Sequence, residues 1–440
     1  MTGDTGVRYK IAVLYFDNPA SDVQTSHISF GISEDILHKL TRIACLDVVS
    51  RADVLPCRGR DVDTCELGRC MGVDYLLEGR IESEGGNLEV VTKLIDVGGD
   101  CDVWEESIEC FGGELLAVPA EVTLKIADTL KIGLAPEERA AITRPATTNF
   151  DAYESYMRGR EFLSMLGKAN NAEAVRALEI AIELDDQFAA AYLSLGEAYS
   201  NMYTFYDSDI GWLAKTEAAS TKAITIDPGM VEARFHLGIV QFHKRNFDEA
   251  KNILNDVIRM RPQYYQGHRW LGIIADLDED YDAALAFYQK CAELKPCSVE
   301  PWLYMNMTHR RKGDMESATY AAKRFLEVGM KTLELIPDDP VTLSRFSVIY
   351  TLFGDRDKAY NAVSRILVND PDDGLVLYNC AATFALLDDV PMALECLRKA
   401  LASGYKNIRE WINSDPDFDD LRKTQEFKDL LKEFDLLFGG

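Results

Sequence analysis

A period of 34 residues constrains this chain more than any other feature. Pro228, Pro262 and Pro296 stand 34 apart, and so do Pro337 and Pro371. Each proline closes a stretch spaced like two amphipathic helices. Proline suits that place because it has no N–H to donate and sets a fixed φ between helices. Within each unit, a small residue on the first helix is followed 12 positions later by alanine on the second. The pairs are Gly238 and Ala250, Gly272 and Ala284, Asn306 and Ala318, Ser347 and Ala359, and Ala381 and Ala393. Two helices that cross closely need small residues at the crossing. Larger apolar residues at helical spacing, such as Leu237, Leu254 and Val257 or Leu271 and Tyr288, fill the seam between units.

In length and residue types the pattern resembles the tetratricopeptide repeat. FHLGIVQFHKRNFDEAKNILNDVIRMRP (235–262) and WLGIIADLDEDYDAALAFYQKCAELKP (270–296) are close matches. Seven units fit between 150 and 403. The first carries a short insertion at 167–171 and has Asp186 where the proline belongs. The second, built around Gly196 and Ala223, has an insertion at 203–211, and the fifth runs long before Pro337. Residues 404–440 then read as a polar-faced cap over the last apolar edge, with Ser414 or Asp415 capping the segment that follows.

The resemblance implies a right-handed solenoid whose first helices line an inner groove that holds a protein or peptide segment. The register assigns Glu232, Phe235, Ile239, Phe242 and His243 to that groove in the third unit. It assigns Gln266, Arg269, Ile273, Asp276 and Leu277 in the fourth, Glu300, Leu303, Met307, Arg310 and Arg311 in the fifth, and Tyr378 in the seventh. Aromatic, Met and Arg side chains supply much of the binding energy at interfaces. Two alternatives stand beside this reading. Phe235, Ile239 and Phe242 also fit packing inside the solenoid, and Arg310-Arg311-Lys312 also fits a solvated corner. The spaced Lys, Asn and Arg set with which some family members grip a chaperone's terminal carboxylate is not found. His236 and His243 are seven apart, too far for one metal ion on a helix.

Residues 8–145 follow another pattern. RYKIAVLYF (8–16) is a strand run ended by Asp17-Asn18-Pro19. Residues 29–43 form an amphipathic helix, 47–50 a short strand and 61–71 a second helix. Strands at 75–82 and 88–96 flank a Gly85-Gly86 hairpin turn, 102–109 is a further strand, and 115–130 a closing helix despite Pro119. The order βαβαβββα describes a small mixed-sheet domain. It resembles the TolB amino-terminal-like domain of bacterial signalling proteins through IAVLYFDN (11–18), FGISEDILHKLTRI (30–43), DVVSR (47–51), GVDYLLEGRIE (72–82), LIDV (94–97) and VWEE (103–106). In that family the domain commonly precedes tetratricopeptide repeats and follows a cyclase, kinase or winged-helix output domain. About ten residues precede the first strand here, so no output domain is expected on this chain.

The formal net charge of −26 disfavours phosphate backbones and anionic lipid heads, so neither nucleic acid nor membrane is expected as a partner. No apolar run reaches membrane-spanning length, and the polar start lacks a signal-peptide pattern, which points to the cytoplasm. Ten cysteines include Cys57, Cys65 and Cys70 close together and the looser pair Cys101 and Cys110. None has zinc spacing, and free thiols are the expectation. There is no phosphate loop, dinucleotide fingerprint, nucleophile elbow or HExxH. Asp17, at a strand's carboxyl end, is the one weak candidate site residue in the sheet domain; Glu34 and Asp35 are placed in the first turns of the following helix.

The expectation is an α+β multidomain chain: a mixed-sheet domain over 8–145, an all-α solenoid over 150–403 and capping helices over 404–440. It has no catalytic residue, metal or cofactor and acts as a regulatory or scaffolding binder of a protein segment. The alternative is the regulatory part of a nucleotide cyclase or kinase system whose catalytic domain is not on this chain. Solenoid ends and sheet edges both offer surfaces for self-association.

Overall fold

The computed structural model describes residues 8–18, 23–49, 54, 63–84, 87–165, 167–206, 209–335, 339–368, 371, 373–403, 408, 412–413 and 415–438. Gly85-Gly86, Cys57, Pro19, Pro337 and Ser414 lie outside the described residues.

The sheet domain runs β1 (Tyr9–Val13), α1 (Val23–Leu40), β2 (Leu46–Val48), α2 (Thr64–Met71), β3 (Tyr75–Glu84), β4 (Asn87–Asp96), β5 (Cys101–Cys110) and, after a 3₁₀ turn, α3 (Val118–Thr129). The strand order is β2-β1-β3-β4-β5. β1 pairs in parallel with both β2 and β3, whereas β3, β4 and β5 are antiparallel. The sheet is therefore mixed. Ile11, Ala12 and Val13 are all buried, as expected of a central strand covered on both faces. Pro119 is tolerated because it falls at the start of α3, where its missing N–H costs no helical bond. Asp17 does not end the pairing as a simple loop: its N–H donates to the Gly79 carbonyl at 2.9 Å and its own carbonyl accepts from Ile81 at 2.9 Å.

The largest local difference from expectation is α1, which starts at Val23 and not at Ser29. Glu34 and Asp35 thus fall in the middle of an 18-residue helix, and both side chains are buried. The helix dipole does not account for them.

After α4 (Pro136–Thr143), the described residues form seven helix pairs that alternate as the repeat predicts, and a last helix follows at Gln425–Phe438. They are α5 (Phe150–Ser164) and α6 (Lys168–Leu184), α7 (Ala189–Asn201) and α8 (Gly211–Ile226), α9 (Val231–His243) and α10 (Phe247–Met260), and α11 (Tyr265–Leu277) and α12 (Tyr281–Leu294). Then come α13 (Glu300–Lys312) and α14 (Met315–Leu335), α15 (Pro340–Leu352) and α16 (Arg356–Val368), and α17 (Gly374–Leu386) and α18 (Val390–Ala402). A Cβ at Gly159 would lie 2.6 Å from Leu178 Cγ, and one at Gly238 would lie 3.1 Å from Leu254, which is why the crossing positions are small. Asn306 uses its larger side chain by donating from Nδ2 to the Ala318 carbonyl at 2.8 Å.

The turns inside the units share a second device. Arg245, Glu279, Gly313, Gly354 and Asp388 all have φ between 61° and 81°. The residue after each donates its N–H back five positions, as in Asn246 to Gln241 and Asp389 to Phe384, both at 2.9 Å. That same residue opens the next helix. Asp280, Asp314, Asp355 and Asp389 each accept the backbone N–H three positions on.

By contacts the chain forms two compact units. The first comprises Met1–Ser200, Leu213–Ile274 and Glu293–Pro296; the second comprises Asn201–Trp212, Ala275–Ala292 and Cys297–Gly440. The sheet domain and the helices of the first three repeats therefore belong mostly to one unit. In the second, Tyr378, Ala382, Cys396, Leu397, Ile408, Ile412, Phe418 and Leu430 share one core, so the chain end is packed on the seventh repeat.

Candidate functional site

The inner-face positions follow from the repeat register. Glu232, Phe235 and Ile239 stand six and three residues before Gly238 and one after it; Phe242 and His243 stand four and five after it. The same offsets from Gly159 give Tyr153, Tyr156 and Arg160. From Gly196 they give Glu197, and from Ser347 they give Val341, Val348 and Leu352.

In the first unit these positions are occupied by α1. Tyr153 donates its hydroxyl to Asp35 at 3.3 Å. Arg160, 6% exposed, forms an ion pair with Glu34, donates to Glu197 at 2.8 Å and to the Ser194 hydroxyl at 3.2 Å. Tyr15 supplies a second donor to Glu34 at 2.7 Å. Ser26 donates to Glu161 at 2.6 Å, and a Cβ on Gly31 would come within 2.1 Å of Met157. Farther along α1, Lys39 donates to the Ile142 and Arg144 carbonyls, both at 2.9 Å, and in the turn just beyond it Arg42 pairs with Asp227 at 2.6 Å. These groups are ionised or bonded where water is excluded, and their acidities reflect it. Burial raises the Asp35 carboxyl, with Lys39 and Tyr153 opposing the rise. Burial and the Arg42 cation bring His38 down to about 4. Burial alone would raise Glu232, but the Arg261 guanidinium, 2.5 Å away, brings it to about 2.

In the second unit the chain end covers the seventh repeat. Tyr378, 5% exposed, donates its hydroxyl to Asp415 at 2.6 Å, and its ring lies 5.3 Å from that of Phe418, which is fully buried. Arg422 holds the segment by donating to the Ile412 and Asp415 carbonyls at 2.9 and 2.8 Å. Burial pushes the Asp417 carboxyl up to about 6; Asp415 adds to the rise and Arg310 opposes it.

Two groove assignments are therefore corrected. Tyr378 presents no free face because the chain's own Asp415 and Phe418 occupy it. Ile239 is 5% exposed, its aliphatic side chain enclosed by packing. Phe235 and Phe242 are half-buried and engaged in ring contacts, Phe235 with Tyr264 at 5.5 Å and Phe242 with Trp270 at 4.8 Å. His243 lies edge-on to Phe242, and Arg269 lies over the Trp270 ring. Met307 is 40% exposed, Arg310 is exposed, and Arg311 is exposed while pairing with Asp276. In the fifth repeat Met307, Arg310 and Arg311 are thus open to solvent while Glu300 and Leu303 are half-buried, and Val341 and Leu352 in the sixth are exposed.

The groups that cover the inner face were not assigned to it from sequence. Glu34, Asp35 and Lys39 interrupt the apolar stripe of α1, and a mid-helix carboxylate pair that ends up buried signals a charged partner elsewhere in the fold. Among the described residues no His, Cys, Asp or Glu group is arranged to hold a metal ion. No described helix is long and apolar enough to cross a membrane.

Residues 7–121 match the HilA/YgeH-like transcriptional regulator family, second domain, and 235–296 match the tetratricopeptide repeat. The helical part is thus a tetratricopeptide-repeat domain, while the matched family for the sheet domain is not the one expected. Putative adenylate cyclase 3 of Rhizobium meliloti (strain 1021) is 26% identical over 246 residues, 55% of this chain and 42% of that protein. The chain thus spans less than half the length of this curated relative. A tetratricopeptide repeat protein from Parabacteroides merdae ATCC 43184 is 14% identical, with 60% of this chain and 98% of that one covered and a TM-score of 0.41. TolB from Acinetobacter baumannii is 18% identical, with 28% of each chain covered and a TM-score of 0.23.

Proposed function

We propose that this chain is a non-enzymatic regulatory scaffold that binds a segment of a partner protein on the inner face of its repeats. The observation that carries this reading is the run of exposed apolar and cationic side chains at inner-face positions of the fifth and sixth repeats: Met307, Arg310, Val341 and Leu352. Exposed apolar and cationic side chains are a common mark of binding surfaces. The test is affinity capture from the source cell, comparing the native chain with Met307→Glu/Leu352→Glu. A protein recovered with the first and lost from the second, with helical content unchanged, supports the reading. Equal recovery with both refutes the inner-face assignment.

A second reading is favoured by the stretch matched in a relative named as an adenylate cyclase, and by the resemblance of the sheet domain to the TolB amino-terminal-like module. In this reading these residues are the regulatory part of a cyclase or kinase system whose catalytic domain is not among them. Cyclic nucleotide synthesis by a purified complex, absent from the chain alone, would support it. A partner lacking both cyclase and kinase activity would exclude it.

A further inference from the structure

The sheet domain keeps one long edge unpaired among the described residues. In the order β2-β1-β3-β4-β5, both β2 and β5 are edges. β2 has three residues, too few to template a further strand. β5 has ten, and among the described residues it pairs only with β4. An edge strand turns a row of backbone N–H and C=O groups outward, ready to pair with an added strand.

The two faces of this edge differ. The register with β4 runs without a shift from Trp104 to Cys110. Side chains alternate along a strand, so Trp104, Glu106 and Ile108 share one face and Glu105, Ser107 and Glu109 the other. The first face is the α3 side: the Lys125 ammonium lies 5.1 Å from the Trp104 ring centroid and 2.6 Å from the Glu106 carboxylate. Leu94 and Val90, opposite Trp104 and Ile108 on β4, are fully buried. Trp104 and Ile108 are only half-buried, so the apolar layer runs to the edge and stops there uncovered.

The other face is exposed and acidic. Glu82, Glu89 and Glu109 stand opposite one another across β3, β4 and β5, and like charges so placed repel. The Glu109 side chain makes no ion pair among the described residues. Glu105 shares Arg80, 3.6 Å away, with Glu82. These charges make a second copy of the strand a poor occupant. Antiparallel pairing of two copies centred on Ser107 would set Glu105 opposite Glu109 twice. A strand with cations at those places is attracted instead.

We propose that β5 takes up, as a sixth strand, an extended segment of a partner protein in which Lys or Arg alternates with bulky apolar residues. The cations stand opposite Glu105 and Glu109, the apolar side chains cover Trp104 and Ile108, and backbone bonds run along the edge. This surface is separate from the inner face of the repeats and does not depend on that reading.

The experiment measures binding of the full chain to three synthetic peptides as long as β5. One alternates Lys with Val, one has the same composition with its Lys in a single block, and one alternates Glu with Val. Hydrogen exchange resolved by peptide reads where each binds. The variant Glu105→Lys/Glu109→Lys, checked for folding by circular dichroism, tests the charge. The expected result is that the alternating Lys peptide alone slows exchange in β5, at least tenfold, and that its Kd rises at least tenfold with the variant. Equal protection of β5 by the block peptide would mean unspecific attraction to an acidic chain and would overturn the proposal. Equal binding of the Glu peptide would overturn the basic class of partner. No binding, or binding that leaves exchange in β5 unchanged, would mean that the carboxylates only guard the edge against self-pairing, and would overturn it too.

Discussion

Arg160 is the side chain whose loss should most disturb the first unit. It is 6% exposed, and it faces the Glu34 carboxylate, itself 7% exposed, together with Glu197 and Ser194. Arg160→Met keeps most of the volume and removes the charge. Glu34 keeps the Tyr15 hydroxyl at 2.7 Å as a donor but loses its guanidinium. Breaking a buried pair by removing one partner costs about 3–5 kcal/mol, because the remaining charge is uncompensated. Arg160→Lys keeps the charge and loses the fork, so its cost lies between that of Met and zero. A chain of two units need not unfold in one step, so a single global melting curve is a poor reporter. Hydrogen exchange resolved by peptide is better. At about 1.4 kcal/mol per factor of ten, the expected acceleration is roughly two to four powers of ten. It should appear in α1 and in α5 and α7 together, because one residue ties all three. The double variant Glu34→Gln/Arg160→Met should recover much of the loss. Acceleration below tenfold, or confined to α5 and α7 with α1 unchanged, would refute the claim that α1 is held on the inner face by charge.

Acidification should weaken the first unit in two steps. His38 has a folded value of about 4 against 6.5, so between those pH values the unfolded chain binds a proton that the folded chain does not. Stability there falls as pH falls, by at most about 1.4 kcal/mol per unit for one group. Glu232, held at about 2 against 4.5, adds stability that is present above 4.5 and lost as pH falls toward 2. Asp417 acts oppositely in the second unit, since a value raised to about 6 makes the folded state take up its proton first. Denaturation midpoints of His38→Gln at pH 6.5 and 4.5 should show a shallower slope than the native chain; an unchanged slope would remove His38 from the account. Gly31→Ala should cost about 1–3 kcal/mol, because its Cβ would lie 2.1–2.8 Å from three Met157 side-chain atoms. Gly31→Ala/Met157→Ala should recover part of that cost in urea titration, and no recovery would mean the two helices are not in close contact.

The repeat was legible because it states itself several times. Pro228, Pro262, Pro296 and Pro371 all fall between helices of successive units, and the small residues fall at crossings. The strands of the mixed sheet were legible from alternation in β3 and β4 and from the uninterrupted apolar run of β1, whereas their spatial order was not. The start of α1 was not, because residues 23–29, VQTSHIS, are mostly polar and carry no helical stripe. The covering of the inner face was not legible either. Glu34 meets a partner 126 positions away and Tyr378 one 37 positions away, and no local pattern records such distances. Sequence reasoning assigned Tyr378 by its register and could not see that the chain returns to fill the place. The capped turns were available and overlooked: Asp280, Asp314, Asp355 and Asp389 follow the repeat spacing as plainly as the prolines do.

The position of α1 on the repeats also sets a schedule for biosynthesis. Glu34 is translated 126 residues before Arg160, and Arg42 is translated 185 residues before Asp227. At roughly 5–20 residues per second, the wait is about 6–25 s for the first partner and about 9–37 s for the second. Through that interval the nascent sheet domain carries a helix whose carboxylates and lysine, and a following turn whose arginine, have not met their counterparts. Early synthesis thus produces a domain that is complete in sequence and incomplete in surface, and a pause before residue 160 would prolong its exposure to the cell's chaperones.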